Sequence, residues 1–328
     1  MTLSTPLSPA LPLHETWFEE TSAGRDWGFL LHPLTLGLVA VVVAVAFLWR
    51  YAAGRFSGPE LPFLARVGRL APWVPRLLGI HLGVSLLALA STGAFLTPAI
   101  DQVGTVPLLL EAGLGVWLVS GFVLRPAAWL VLGLGPLLAL FSSPVTLLEC
   151  ANLAAVAAFL VVVPPGAHDH GRSDPSSREL RTALLLMRLG VGTALIALAF
   201  TEKLTHPALA LETLESYPAL NVFSLVGVPV PDETFVAIAG ATELLFGLLV
   251  ISGALPQVTV LVAAVPFNAT LLLFGQTELV GHLPVYGVFL ALLAYGSDPR
   301  TAPLVSWLPR PRRTTRQAEP GRVPVTVG

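Results

Sequence analysis

The sequence predicts an all-α, polytopic membrane helical bundle of about nine transmembrane helices, one N-terminal helix followed by two parallel four-helix repeats. Three observations predict it. Hydrophobic residues make up 54% of the 328 residues and charged residues only 12%, with a mean hydropathy of +0.77, whereas a soluble domain is nearer a quarter charged. Apolar runs of the length needed to cross roughly 30 Å of hydrocarbon recur along the chain. The connections between those runs alternate between Arg-rich and acidic. Inside lipid the backbone must satisfy its own polar groups, so such runs are helices, and their scattered Gly and Pro are tolerated.

The polar N-terminal segment, 1–32, is Pro-rich and acidic with no basic n-region, and is expected to carry no cleavable signal peptide. A first span at 33–49 leads into an Arg-rich cytoplasmic loop, so that 33–76 forms one unit. Spans at 77–97, 106–123, 127–141 and 147–163 make the first repeat, 77–163. A Pro-, Gly- and Ser-rich cytoplasmic linker, 164–181, follows. Spans at 182–200, 235–252, 257–275 and 282–296 make the second repeat, 182–297, and 298–328 is a basic cytoplasmic tail. The runs at 127–141 and 282–296 fall below about 17 residues, so they tilt little, begin a turn earlier, or lie against neighbours.

Orientation follows from the arginines. Arg50, Arg55, Arg66, Arg69 and Arg76 fill the first connection, and Arg125, then Arg172, Arg178 and Arg181, then Arg300 and the tail fill every second one after it. The alternate connections carry Asp101, Glu212, Glu215, Asp232 and Glu233, with only Lys203 near them. Positive loops face the cytoplasm, which puts the N-terminus outside and the C-terminus inside a plasma membrane. The tail "RPRRTTR" suits the anionic inner leaflet.

Internal similarity links the two halves. "HLGVSLLALASTGAFLTP" (81–98) matches "RLGVGTALIALAFTEKLTHP" (188–207), and "EAGLGVWLVSG" (111–121) matches "ELLFGLLVISG" (243–253). Glu111 answers Glu243, Gly115 answers Gly247, Gly121 answers Gly253, Asn152 falls opposite His282, and Phe159 opposite Phe289. Both repeats begin inside, which makes them parallel rather than inverted.

The stretch from about Leu184 to Gly296, about a third of the chain, resembles the DoxX family of small four-helix membrane proteins. The resemblance rests on a first helix ending in "FTEKL" (200–204), a Pro-containing outer loop "VPVP" (228–231), and a second helix reading "ELLFGLLVISG". The first repeat is similar to a degenerate copy, with Gly93 and Ala94 where Glu202 and Lys203 stand. The resemblance implies a redox-associated membrane subunit, linked in some members to quinone-coupled sulfur oxidation or to oxidoreductase assemblies.

Glu243 is the most informative residue. It is expected about eight residues inside its span, roughly 12 Å deep, where an ionised carboxylate costs a few kcal/mol and needs a partner or a proton. Gly240, Glu243 and Gly247 share one small-residue face. Either Glu243 is an interhelical strut, or it carries a proton or binds a ligand. Lys203, the only lysine, either snorkels to headgroups or pairs with Glu243, Glu202 or Glu278. Asn268 and His282 are expected at comparable depth, so four polar groups from four helices converge on the outer half. Such a pocket suits hydrogen bonding to a quinone carbonyl or a small oxyanion, with His282 or Glu243 exchanging protons. Arg188 either snorkels to anionic headgroups or serves as an inner counter-charge.

Other chemistries are poorly supported. The lone Cys150 excludes a Cys-x-x-Cys exchange mechanism. No span pairs histidines at haem-stacking spacing, and no phosphate loop or nucleic-acid motif is present. His168, Asp169 and His170 in the linker form either a solvated loop or a metal catch. The leading expectation is a quinone-interacting subunit with no intrinsic cofactor, acting in the bilayer with a separate oxidoreductase. The alternatives are a proton-coupled carrier for a small solute and a non-catalytic scaffold.

Overall fold

The apolar runs become helices nearly where the sequence puts them. The computed structural model describes residues 24–55, 58–97, 100, 104–138, 144–166, 171–274 and 276–309, and the regular structure among them is helical. α1 (Trp27–Leu31) and α2 (Pro33–Ala53) are followed by a 3-10 stretch, Pro62–Trp73, and then by α3 (Val74–Thr92) and α4 (Thr105–Ser120). Next come α5 (Leu124–Leu138), α6 (Pro144–Glu149) and α7 (Ala151–Val162). α8 (Ser177–Leu198) runs into a π-helical turn, Ala199–Leu204. α9 (Pro207–Ser216), a 3-10 turn (Pro218–Leu220) and α10 (Val222–Leu225) precede α11 (Asp232–Ser252), α12 (Pro256–Phe274), α13 (Gln276–Ser297) and α14 (Ala302–Val305).

Four of the described helical segments are long and apolar enough to cross a membrane: Pro33–Ala53, Pro62–Thr92, Ser177–Leu204 and Asp232–Ser252. The described apolar parts of α4, α5, α7, α12 and α13 are shorter, at 10–17 residues. The two runs expected to be short do begin earlier, α5 at Leu124 and α13 at Gln276. The span expected at 147–163 is instead divided at Cys150 into α6 and α7. Just beyond the break the Asn152 Oδ1 accepts from the Leu153 N–H at 2.7 Å, a local bond that competes with helix continuation. The span expected to reach residue 97 stops at Thr92, because Gly93 takes a left-handed φ of 85° and turns the chain.

Local chemistry fixes the ends. Pro33 opens α2, where its missing N–H is harmless. Ser176 and Glu179 form a reciprocal capping box at α8. The first connection is more ordered than an Arg-rich loop. Glu60 Oε2 accepts from the Gln257 N–H at 3.0 Å, and Gln257 Oε1 accepts from the Leu61 N–H at 2.8 Å while its amide donates to Ser297 Oγ at 2.7 Å. Those bonds tie the loop to the start of α12 and the end of α13, and burial pushes the Glu60 carboxyl above its usual range.

Packing pairs the helices in a pattern that recurs. α3 lies against α4, α8 against α11, α5 against α7, and α12 against α13. Across these pairs α7 packs on α8 and α13 packs on α3. A methyl at Gly115 would stand 2.8 Å from the Gly83 carbonyl oxygen, and one at Gly247 would stand 2.8 Å from that of Gly192. Glycine therefore lets both helix pairs touch backbone to backbone. Gly83 thus corresponds to Gly192, two residues beyond the Gly190 that the matched strings "HLGV" and "RLGV" align. Leu78, Leu82, Leu86, Val156, Leu160, Leu184 and Val288 fill one continuous core among α3, α7, α8 and α13. By contrast Val41, Phe47, Leu48 and Tyr51 of α2 are exposed, an apolar surface suited to lipid. α2 packs chiefly on α11.

Candidate functional site at the π turn and α11

The π turn and α11 together build the charged cluster. A π turn is closed by bonds five residues apart, here Thr205 N–H to the Phe200 carbonyl at 2.9 Å. It carries α8 onward so that Glu202 and Lys203 end the helix beside α11. Gly240 makes the approach possible, since a methyl there would stand 3.1 Å from Lys203 Cβ and 2.8 Å from Leu204 Cδ2. Glu243 lies one turn further along the same face. Lys203 Nζ consequently donates to Glu243 Oε2 at 2.9 Å and to Glu202 Oε2 at 3.4 Å. The ion pair expected from the sequence is present, with Glu243 and Glu202 as its acids. The side chains of Lys203, Glu202 and Glu243 are 19%, 12% and 21% exposed, so the cluster is largely desolvated without being sealed.

Glu243 is eleven residues after Asp232, the first residue of α11, which at 1.5 Å per residue is roughly 17 Å along the helix. The groups of this cluster can donate to a carbonyl, accept from a hydroxyl, or pass a proton between ligand and carboxylate.

Two expected members stand elsewhere. Asn268 is exposed on α12 and donates back to the Ala264 carbonyl of its own helix at 2.7 Å. His282 is buried in α13, its ring 4.5 Å from that of Phe267 and 6.2 Å from that of Tyr286. That helix packs on α3, α12 and the 3-10 stretch, whereas Glu243's helix packs on α2 and α8. The four-helix convergence expected from topology is not seen among the described residues, where the π turn and α11 supply the Lys203, Glu202 and Glu243 contacts. The side chain of Glu278 and the linker residues His168, Asp169 and His170 lie outside the described residues.

Glu111, the α4 residue that the sequence match sets against Glu243, is held differently. Glu111 is fully buried, and its Oε1 accepts from the backbone N–H of Leu96 at 3.1 Å. Leu108 stands where the second repeat has Gly240, and Ala94 where it has Lys203, so neither the close approach nor the cation exists. The chain instead folds inward at Phe95 to Thr97, with Leu96 at a φ of 59°, to present an amide to the acid.

Arg188, at the other end of α11, does neither of the things expected of it. It is completely buried, donating through Nη2 to the Trp307 carbonyl at 2.7 Å, with its guanidinium in the space a Gly253 side chain would occupy. Arg50 joins it, donating to the Ser252 and Ser306 carbonyls at 3.1 Å and 3.0 Å. Both arginines sit at the C-terminal end of α11, where the helix dipole and unpaired carbonyls favour cations. Arg76 serves α4 in the same way, donating to the Val119 carbonyl at 2.6 Å beside the left-handed Gly121. Sequence reading missed these clamps. The usable signal was an arginine in the preceding helix, Arg76 in α3 and Arg188 in α8, together with a glycine just past the end of the clamped one, Gly121 and Gly253.

Compared with family models, curated proteins and solved structures, the chain gives no match.

Proposed function

We propose that the chain is a DoxX-like integral membrane subunit that binds a quinone-class headgroup at the Lys203, Glu202 and Glu243 cluster and works with a separate oxidoreductase. The observation that carries this reading is the 2.9 Å contact between Lys203 and Glu243, made across helices at mid-span by side chains that remain about one-fifth exposed. A cation and a carboxylate held together in a desolvated site can donate to a quinone carbonyl and take up or release its proton. The reading places nine helices across a plasma membrane with the N-terminus outside and the C-terminus inside, in two parallel four-helix repeats. The recurring helix pairs and the Gly83–Gly115 and Gly192–Gly247 contacts support it.

Equilibrium binding of a quinone analogue to the purified full chain tests the site. Binding is expected to weaken at least tenfold in Glu243→Gln and in Lys203→Met, and to persist in His282→Ala, whose ring packs on Phe267 and Tyr286. Unaltered binding in the first two variants removes the proposal. A carrier reading draws on Glu111 and Glu243 occupying corresponding places in the two repeats. Proton-gradient-dependent solute uptake into proteoliposomes, abolished by Glu243→Gln, would favour it instead.

A further inference from the structure

A second polar site lies nearer the outer surface, on different residues. A cleft of about 510 Å³ opens between α1, the first turn of α2, α9 and the start of α11. Its polar walls are Asp26, His32, Thr35, Glu233 and Thr234, and Phe29 and Leu211 supply apolar surface. The local chain holds this shape. Asp26 Oδ1 accepts from the Phe29 N–H at 3.0 Å, and the Asp26 N–H donates to the Thr205 carbonyl at 2.8 Å, which pins α1 over the end of the π turn. His32 Nδ1 accepts from the Leu34 N–H at 3.4 Å.

Charge and hydrogen bonding define what the cleft accepts. The described lining residues include two carboxylates and no lysine or arginine. Thr35 is only 1% exposed and lines the cleft. Asp26, His32 and Glu233 do not form a metal-binding group, since the described residues contain no set of three suitable ligands. An ammonium group fits these walls. It offers several N–H donors to acids and a hydroxyl, and its alkyl portion can lie on Phe29 and Leu211.

We propose that this cleft binds the ammonium head of a small amphiphilic amine from the outer side, between Asp26 and Glu233 with Thr35 as a further acceptor. A free alkylamine and the ethanolamine headgroup of an outer-leaflet lipid carry the same chemistry. The site is independent of the Lys203 cluster, so its failure leaves that reading untouched.

Calorimetric titration of the full chain with hexylammonium chloride at neutral pH, beside 1-hexanol as the uncharged comparator, tests the proposal. Saturable hexylammonium binding is expected, at least tenfold tighter than hexanol, and at least tenfold weaker in the Asp26→Asn/Glu233→Gln double variant. Asparagine caps helices as well as aspartate does, so α1 is retained in that variant. Thr35→Val is expected to weaken binding severalfold, and Gly113→Ala, at a position with open space around it, to leave it unchanged. In nanodiscs, weaker apparent affinity with phosphatidylethanolamine than with phosphatidylcholine identifies the lipid headgroup as the occupant, whereas equal affinity identifies a free amine. Hexanol binding as tightly as hexylammonium, or full binding by the double variant, overturns the proposal.

Discussion

Removing Lys203 should harm the protein more than removing the acid it pairs with. Lys203 lies 2.9 Å from Glu243 and 3.4 Å from Glu202, so Lys203→Met leaves two carboxylates facing each other in a largely desolvated place. Breaking a buried pair by deleting one partner costs roughly 3–5 kcal/mol, and residual exposure puts this case near about 3 kcal/mol. Glu243→Gln leaves Lys203 its second acid and an amide oxygen to donate to, so its cost is about 1 kcal/mol. In thermal unfolding of the detergent-solubilised chain these become a loss of roughly 5–10 °C against about 2 °C. The Lys203→Met/Glu243→Gln double variant should show a coupling of about 1–3 kcal/mol. Equal losses in the two single variants, or simple additivity in the double, would refute the assignment of Lys203 as the shared cation.

Further expectations concern the scaffold. Gly247→Leu drives a side chain into Ile196 and the Gly192 carbonyl, and is expected to destabilise the α8–α11 pair by about 1–3 kcal/mol, while Gly113→Ala, with open space around it, is neutral in the same melt. Gly253→Ala places a side chain on the Arg188 guanidinium at a φ of 61°, so the segment at Ser306 and Trp307 should become several times more susceptible to limited proteolysis. In a Cys150→Ser background, Ser216→Cys is expected to react with a membrane-impermeant maleimide on intact cells and Ser120→Cys only after permeabilisation. The reverse pattern would invert the topology.

The helical fold was legible because apolar runs and their Gly and Pro boundaries are local properties. The pairing of Lys203 with Glu243 was legible for a related reason. A lone lysine at the end of one helix and a carboxyl on a glycine face of the next leave few other partners. The misplacement of Asn268 and His282 has a different origin, since which helix carries a residue was readable but the helix's rotation about its axis was not. Asn268 has an exposed side chain, and His282 turns to Phe267 and Tyr286. The π turn escaped because one extra residue in a helix leaves no mark on hydropathy. It nonetheless decides that Glu202 and Lys203 reach α11. The arginine clamps were hidden because an apolar span makes an internal arginine read as a membrane-surface residue, whereas Arg188 turns inward onto backbone carbonyls.

The most direct measurement is the amount of lipid-soluble quinone that co-extracts with the full chain purified in mild detergent from its membrane. The native chain is expected to carry quinone at a substantial fraction of one molecule per chain. Lys203→Met should carry at least tenfold less, and His282→Ala the native amount. A native chain that carries none and takes up none when quinone is added, or a Lys203→Met chain loaded to the native level, would contradict the assignment.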